Sequence, residues 1–355
     1  MTSSVTLISN NGEVGGGEVM LVALAQAVRD LGLGVRVVVP SEPRAAADLA
    51  RSAGLDVMEI RAHDRRSYLL GLVEARRRLG GDLWWCNGLV PALAASGSRH
   101  RRVLHLHQLP AGVHRAAWIA ARRGVERTFV PSHAMAAMVP GSTVLANWTS
   151  EITRSAPLPS PDGVVRVGFI GRFSPIKGLD VLARAMQRLD RMHPEPLRLV
   201  LAGDARFVAS VDAAKVFDEL SRVARMERLG WVSREQFFDA VDLLVVPSVW
   251  DEPFGLVAAE AMGVGRPVVV SDAGALPEVV GAQHPWVARA GDPVDTAEVV
   301  RRVLRLDPDE RATVCDAART RWEVEYAPKP ARHRVEEALA DLQLLPEIDG
   351  RAVDG

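Results

Sequence analysis

The sequence predicts an α/β protein made of two doubly wound domains, each a parallel sheet wrapped by helices. Short β-branched runs alternate with longer stretches of helical periodicity. A proline-rich stretch interrupts this alternation once, after which it starts again. The 355 residues suffice for two domains of roughly 100–200 residues each. Because ligands bind beyond the carboxyl ends of such strands, we expect the domains to face each other across a cleft.

The first domain is placed at residues 1–155. Two helices are predicted in it, at residues 17–31 and 66–79, where apolar residues recur with helical spacing. The predicted buried strands are Val5–Ile8, Val35–Val39, Asp56–Ile60, Leu83–Cys86, Val103–Leu106 and Thr128–Val130.

The linker is placed at residues 156–163, because the stretch 155–163 holds three prolines in nine positions and begins no regular element. The second domain follows at 164–325, with a predicted helix at 178–192. Its predicted strands are Val165–Ile170, Leu197–Leu201, Asp242–Val246 and Pro267–Val270. We expect a C-terminal helix within 326–346 to pack back toward the first domain, and residues 347–355 to form a flexible tail.

Composition excludes several classes of protein. The chain is 48% hydrophobic and 25% charged, as in soluble globular proteins, and no apolar run approaches the roughly 18–20 residues of a membrane-spanning helix. The first residues lack the basic and apolar segments of a signal peptide. Cys86 and Cys315 lie far apart without metal-type spacing, and Cys86 follows two tryptophans as a buried thiol would. These features predict a cytoplasmic protein.

Charge is distributed unevenly along the chain. Residues 1–150 carry 17 arginines against 11 acidic residues, whereas residues 151–355 carry 26 basic against 33 acidic residues. A basic first domain favours an anionic acceptor or weak docking on the inner face of an anionic membrane, with Arg65, Arg66 and Arg76–Arg78 on one helix. Scattered surface arginine explains the same counts equally well. We expect no nucleic-acid partner, and the oligomeric state stays open.

The first motif that could carry chemistry is the segment Gly171-Arg-Phe-Ser-Pro-Ile-Lys-Gly178, which lies between a strand and a helix. Glycine permits close backbone approach, and two cations stand beside a helix N-terminus, so the segment suits a phosphate group. An ordinary turn with two solvated cations is the alternative. Arginine outnumbers lysine 40 to 3 in this chain, so a lysine at this position favours the functional interpretation.

The second motif is Asp251-Glu-Pro-Phe-Gly-Leu-Val-Ala-Ala-Glu-Ala-Met262, which places two glutamates eight residues apart. That spacing corresponds to about 12 Å along a helix, too far for an acid/base pair on one atom but suited to gripping two parts of an elongated ligand. Glu252 could instead be a helix N-terminal acid, and Glu260 a solvated position. However, Glu260 is flanked by alanines and a methionine, and an acid in such surroundings usually has a partner.

Together these motifs resemble the retaining GT-B glycosyltransferases of family 4, the glycosyl transferases group 1. The resemblance covers most of residues 165–280 and includes Gly203-Asp204 and the Gly-x-Pro-Val segment that starts at Gly265. It implies a GT-B fold of two Rossmann-like domains. It also implies that Glu252 contacts the transferred sugar. The implied diphosphate-binding groups are Arg172, Lys177 and the amides of Gly255, Leu256 and Val257. The resemblance further implies that Glu260 binds the ribose and that Val232 lies beside the base.

A glycine-rich stretch, Asn11-Gly-Glu-Val-Gly-Gly-Gly-Glu18, follows the first predicted strand. Such a turn invites a nicotinamide-binding interpretation, with Glu42 as the ribose acid, but the Gly-x-Gly-x-x-Gly spacing is absent. In the resembled family a loop here closes over the donor diphosphate and borders the acceptor. The resemblance therefore assigns Gly16 to the donor and Gly15 to the acceptor side.

Two histidines, His105 and His107, lie on the same side of the fifth predicted strand. A zinc site is not expected, because no Cys, His or Asp cluster completes the pair. A strand-end histidine is more commonly structural. In the resembled family a histidine here touches the sugar, and His107 matches better, although His105 could substitute. Asn87 is assigned to the acceptor side, with a plain turn as the alternative.

The function implied by the resemblance is transfer of a sugar from a nucleoside-diphosphate sugar, such as a UDP or GDP sugar, with retention of anomeric configuration. The acceptor, a small molecule, a glycan or a lipid-linked sugar, stays unknown. We expect neither a metal ion nor another cofactor. The alternatives are a sugar-nucleotide epimerase of the same fold, a NAD-dependent oxidoreductase, and a non-catalytic sugar-nucleotide-binding protein.

Overall fold

The computed structural model describes residues 3–109, 114–155, 163–205 and 208–345. The chain divides into two compact units. The first comprises Met1–Asn147 with Pro328–Gly355, and the second comprises Trp148–Ala327. Each unit is built around one sheet in which every strand pair is parallel. The prediction of two Rossmann-like domains is therefore confirmed.

The first unit contains a seven-stranded sheet in the order β3-β2-β1-β4-β5-β6-β7. Its strands are β1 (Ser4–Ile8), β2 (Gly34–Pro40), β3 (Val57–Ile60), β4 (Leu83–Cys86), β5 (Arg101–His105), β6 (Arg127–Val130) and β7 (Thr143–Val144). Its helices before the second unit are α1 (Gly16–Asp30), α2 (Ala45–Ser52), α3 (Arg65–Ala75), α4 (Leu89–Ala95), α5 (His114–Arg122) and α6 (His133–Met138). The central strands are buried on both faces because helices cover both sides.

The second unit contains a six-stranded sheet in the order β10-β9-β8-β11-β12-β13. Its strands are β8 (Val165–Ile170), β9 (Leu197–Ala202), β10 (Met226–Gly230), β11 (Leu243–Val246), β12 (Val268–Ser271) and β13 (Val287–Ala288). Its helices are α7 (Leu179–Met192), α8 (Ser210–Ser221), α9 (Arg234–Asp239), α10 (Leu256–Val264), α11 (Leu276–Val280), α12 (Pro293–Arg305) and α13 (Pro308–Glu325). The strand order reverses beside β8, so β8 and β11 flank the switch point where ligands bind in such sheets.

The boundary between the units follows Asn147, eight residues before the expected end of the first domain at residue 155. Contacts tie the intervening segment to the second unit. Thr149 donates its backbone N–H to Tyr326 O and accepts from Trp322 Nε1, while Ser155 donates its backbone N–H to Val264 O. Apart from Gly163, the predicted linker at 156–163 lies outside the described residues, as does the tail at 347–355.

The last helix, α14 (Pro328–Asp341), belongs to the first unit and contacts α1. Arg332 Nη2 donates to Asp30 O at 2.8 Å, and Arg127 Nη1 lies 3.1 Å from the Asp341 carboxylate. No helix within the described residues is both long and apolar enough to traverse a bilayer.

Candidate functional site

The predicted residues of the second unit follow the carboxyl ends of its two central strands. Lys177 lies in a single 3-10 turn, Pro175–Lys177, between β8 and α7. Glu252 lies in the loop between β11 and α10. Since β8 and β11 are hydrogen-bonded parallel neighbours, the two loops emerge side by side at the same edge.

Lys177 and Glu252 form a mostly buried ion pair although they are 75 residues apart. Lys177 Nζ lies 2.5 Å from Glu252 Oε1, and the same oxygen accepts a 2.6 Å hydrogen bond from Ser248 Oγ. Glu252 Oε2 accepts no hydrogen bond from the residues that the structure describes. The carboxylate is therefore fixed through one oxygen and keeps the other for a ligand.

Two glycines let the backbones around this pair approach each other. Gly178 has φ +69°, and a Cβ there would lie 1.8 Å from Pro247 O. Gly274 has φ +57°, and a Cβ there would lie 2.3 Å from the backbone nitrogen of Glu252. A side chain at Gly178 would push the Lys177 loop away from the loop that follows β11. A side chain at Gly274 would displace the backbone of Glu252, so glycine is required at both positions.

Arg172 lies five residues before Lys177 in the same loop but does not join the pair. Its side chain is exposed and forms no ion pair with the described residues. Arg172 is therefore a free surface cation near the ion pair. The following residue, Phe173, fixes the loop by donating its backbone N–H to Asp204 O at 2.7 Å.

The start of α10 supplies backbone donors next to the Glu252 loop. Gly255, with φ +102°, precedes the helix, and its carbonyl accepts from the amides of Ala258 and Ala259. The amides of Leu256 and Val257 precede this first helical hydrogen bond and have no acceptor within the helix. An anion at this end would meet those N–H groups and the positive end of the helix dipole.

Glu260 lies in the second turn of α10, with a quarter of its side chain exposed. Burial against the surrounding apolar residues raises its pKa to about 7, which the positive charge of Arg234 opposes and Glu235 reinforces. Arg234 Nη1 lies 4.0 Å from Glu260 Oε1. A carboxyl with such a pKa changes charge near neutral pH.

Arg234 is a neighbour of this site that the sequence analysis missed. Its guanidinium donates to Ser150 Oγ at 3.0 Å and to Glu151 O at 3.3 Å, which anchors it beside Glu260. Its position directly after Ser233, the N-cap of α9, is the feature of the sequence that could have indicated it. The preceding Val232 is half-buried in the loop between β10 and α9.

In the first unit, Asn87 links two predicted parts of the site. His107 Nε2 donates to Asn87 Oδ1 at 2.7 Å, and Asn87 Nδ2 donates to Gly17 O at 3.0 Å. A Cβ on Gly17 would lie 3.2 Å from the His107 ring, so the glycine allows the first turn of α1 to rest on the histidine. Asn87 is thus a buried hydrogen-bonding residue and not a plain turn.

The two histidines differ in exposure and in hydrogen bonding. His105 is 2% exposed, and its Nδ1 accepts a 3.4 Å hydrogen bond from Trp85 Nε1. His107 is partly exposed, and its Nδ1 has no hydrogen-bond partner among the described residues. Burial lowers the pKa of His105 well below its usual value and that of His107 to about 4, so both rings are neutral at pH 7.

The glycine-rich loop ends in a capped helix. Gly15 is the N-cap of α1 and donates its backbone N–H to Glu18 Oε2 at 3.3 Å. Burial raises the pKa of Glu18 to about 7, another feature that the sequence analysis missed. Gly15 and Gly16 are exposed at the tip of the loop.

Over the described ranges, no three His, Cys, Asp or Glu side chains are grouped as a metal site would require. Both cysteines are buried and unpaired, as predicted for Cys86. Burial raises the pKa of Cys86 to about 12 and that of Cys315 to about 11, so neither is a reactive thiolate at neutral pH.

Most of the second unit matches the model of a known protein family. Residues 165–306 match the family model of the glycosyl transferases group 1. The D-inositol 3-phosphate glycosyltransferase of Mycobacterium leprae is 37% identical over 175 residues, which cover 46% of this chain and 39% of that protein. The chain thus spans about two fifths of the length of the curated relatives it matches.

Solved structures resemble the whole chain and not only the second unit. Anabaena HepE in complex with UDP-glucose superposes with a TM-score of 0.81 at 23% identity, over 95% of this chain and 99% of that chain. Sucrose-phosphate synthase from Thermosynechococcus elongatus gives a TM-score of 0.80 at 20% identity, over 96% of this chain and 99% of that chain. The fold is that of the GT-B glycosyltransferases, as the sequence predicts.

Proposed function

We propose that this protein transfers a sugar from a uridine-diphosphate sugar to a hydroxyl acceptor and retains the anomeric configuration, as family 4 glycosyltransferases do. One observation carries the proposal: the Lys177–Glu252 pair at the β8/β11 switch point stands just before α10, whose second turn carries Glu260. The cations and the unbonded helix amides suit the diphosphate of an extended donor. The two separated carboxylates suit the sugar and the ribose, which lie at opposite ends of that diphosphate.

The second unit is assigned the donor. Arg172, Lys177 and the amides of Gly255, Leu256 and Val257 would bind the diphosphate. Glu252 would accept hydrogen bonds from the transferred sugar through Oε2, Glu260 would hold the ribose hydroxyls, and Val232 would flank the base. In the first unit, we assign His107 to the sugar, Gly16 to the donor, and Gly15 and Asn87 to the acceptor side.

In the proposed reaction the bond between the anomeric carbon and the diphosphate oxygen breaks while the acceptor oxygen attacks from the same face. The acceptor proton passes to the departing phosphate, so no protein nucleophile is required. Lys177, Arg172 and the α10 amides would stabilise the charge that develops on the leaving group, which is the part a metal ion plays in other enzymes. We therefore propose catalysis without a bound metal.

The first donor to test is UDP-glucose, because HepE is described in complex with it. The first acceptor to test is D-inositol 3-phosphate, after the name of the Mycobacterium leprae relative. We expect UDP-sugars to raise the melting temperature more than GDP-, ADP- or TDP-sugars do. We also expect UDP release only when an acceptor is present, in buffer containing EDTA. NMR of the product should give the anomeric configuration of the donor.

Each alternative predicts a different result in the same assays. Conversion of the donor alone into an epimer would establish the epimerase, and binding of NAD would favour the oxidoreductase. Donor binding without turnover on any of a broad set of acceptors would favour a non-catalytic binding protein. An inverted product would disprove retention while leaving glycosyl transfer intact.

The pKa of Glu260, raised to about 7, predicts that UDP binding depends on pH. The ionised carboxylate accepts ribose hydrogen bonds more strongly than the protonated acid does. UDP affinity should therefore increase as pH rises from 6 to 8 and level off above that. Because Arg234 lowers this pKa, Arg234→Gln should move the rise to higher pH. Calorimetric titration with UDP across this range measures both effects.

Glu260→Gln is the control for this prediction, because it should bind UDP weakly and show only the pH dependence of the UDP phosphate itself. The UDP phosphate also titrates, at a pKa of about 6, but it does so equally in every variant. A profile in Glu260→Gln identical to that of the unmodified protein would show that Glu260 does not hold the ribose.

A further inference from the structure

We propose that the first unit contains a second anion site, a pocket for a phosphate group at the amino edge of its sheet. The pocket has a volume of about 630 Å³. It is lined by the α4–β5 loop, the start of β5 and the α5–β6 loop. It does not depend on the proposed transfer reaction, because it lies at the edge opposite to His107.

The location follows from the parallel sheet. Arg102 is the second residue of β5, and His107 follows the carboxyl end of that strand. Five residues of strand span roughly 17 Å at 3.3 Å per residue, so the two positions belong to opposite edges. A phosphate in this pocket would thus be remote from the sugar-handling residues of the unit.

Four arginines and one glutamate supply the charge of the pocket. Arg101 binds the Glu126 carboxylate through two hydrogen bonds, of 2.9 and 2.8 Å, and also donates to Leu342 O. Glu126 is the only acid among the described residues that line the pocket, and its charge is neutralised by Arg101. Arg99 and Arg123 are exposed and form no ion pair with the described residues. A surplus of positive charge therefore faces the pocket.

Arg102 is the strongest reason to expect an anion. It is 4% exposed, and the one hydrogen bond from its guanidinium to the described residues runs from Nη2 to Arg123 O. Its Nε is buried without a partner, and no carboxylate pairs with it. A buried guanidinium that has no carboxylate partner and an unsatisfied Nε is costly unless an anion supplies the missing charge and acceptor.

The pocket also offers a neutral donor and a fixed wall. Ser98 Oγ, in the α4–β5 loop, is buried without a partner and lines the same pocket. His100 holds this loop by stacking on Trp84 with ring centroids 4.1 Å apart. On the other side, Gly124 has φ +73°, and a Cβ there would lie 3.1 Å from Arg102 Nη2.

Phosphate is the chemistry that fits these donors. Arginine presents parallel N–H groups that match phosphate oxygens, and a hydroxyl adds one more donor. The phosphate could belong to a small molecule in solution or to the headgroup of an anionic phospholipid. Two arms of one experiment, one with inorganic phosphate and one with vesicles, distinguish these sources.

The test compares two pocket variants with a charge-matched control. Arg99→Ser combined with Arg123→Ser removes the exposed rim, and Arg102→Met replaces the buried cation with an apolar chain of similar length. Arg44→Ser combined with Arg61→Ser removes the same charge from exposed residues after β2 and β3, at the opposite edge of the sheet. Lys177→Ala serves to separate this pocket from the donor site.

Calorimetric titration with inorganic phosphate should give saturable binding to the unmodified protein. Each pocket variant should bind about tenfold more weakly or worse, as expected for loss of charge-assisted hydrogen bonds. The Arg44/Arg61 variant and Lys177→Ala should keep this binding. If Arg102→Met does not fold, the rim variant alone decides the result.

The vesicle arm uses sedimentation with phosphatidylglycerol against phosphatidylcholine. Binding to phosphatidylglycerol that the pocket variants lose and the Arg44/Arg61 control keeps would assign the phosphate to a lipid headgroup. Phosphate binding without vesicle binding would assign it to a soluble ligand. The proposal is overturned if neither probe binds, or if the control loses binding as strongly as the rim variant does.

Discussion

Glu252→Gln is expected to lower kcat by about 100-fold or more while changing UDP affinity by less than about threefold. Glu252 is held through Oε1 by Lys177 and Ser248, so the variant side chain should stay in place. What it loses is the negative charge facing the transferred sugar through Oε2. An interaction made to the sugar and strengthened in the transition state affects turnover more than binding of the nucleotide.

Steady-state kinetics with UDP-glucose and calorimetry with UDP measure the two quantities separately. The matched control is Glu298→Gln, the same chemical change on an α12 side chain that is 45% exposed and pairs with Arg301. It should leave kcat and affinity unchanged. Equal kcat in Glu252→Gln and the unmodified enzyme would remove Glu252 from the proposed mechanism.

A large part of the fold was predictable because the central strands carry a strong local signal. β8 was predicted with its observed bounds, and β4 likewise, since buried strands of a parallel sheet are runs of apolar and β-branched residues. The strands that were missed lie at the edges: β7 and β13 have two residues each, and β10 includes the polar pair Glu227-Arg228. Edge strands have weak patterns because only part of their surface is buried.

The boundary between the units lies eight residues before the predicted one for a related reason. The prolines at 157–161 gave the stronger local signal, whereas the attachment of Thr149 and Ser155 to the second unit depends on contacts with Tyr326, Trp322 and Val264. Such contacts join positions more than one hundred residues apart and leave no trace in local composition. Helix 66–79 was also predicted too long, because α3 ends at Ala75.

For the site, sequence motifs indicated the residues but not their partners. Both Lys177 and Glu252 were predicted, yet their direct pairing follows from the adjacency of β8 and β11, which only the strand order establishes. The difference in burial between His105 and His107 was not predictable, because strand alternation gives both the same side. Arg234 was missed since its link to Glu260 crosses from one helix to another.

Lys177→Ala should weaken UDP binding about 10- to 100-fold, the loss expected for one charge-assisted hydrogen bond to a phosphate. It should also destabilise the second unit. Glu252 is buried, and without the ammonium group its carboxylate keeps only the hydrogen bond from Ser248. Removing one partner of a buried ion pair typically costs about 3–5 kcal/mol, although a quarter of the Lys177 side chain is exposed and reduces that cost here.

The double variant Lys177→Ala/Glu252→Gln distinguishes the loss of UDP affinity from the loss of stability. With no uncompensated carboxylate, the double variant should recover most of the lost stability in urea unfolding, while its affinity for UDP stays as low as that of Lys177→Ala. Lys215→Ala, a change in an exposed lysine of α8, is the control and should alter neither quantity. If the double variant regained UDP affinity together with stability, Lys177 would be a structural counter-ion for Glu252 and the diphosphate would have to be bound by other groups.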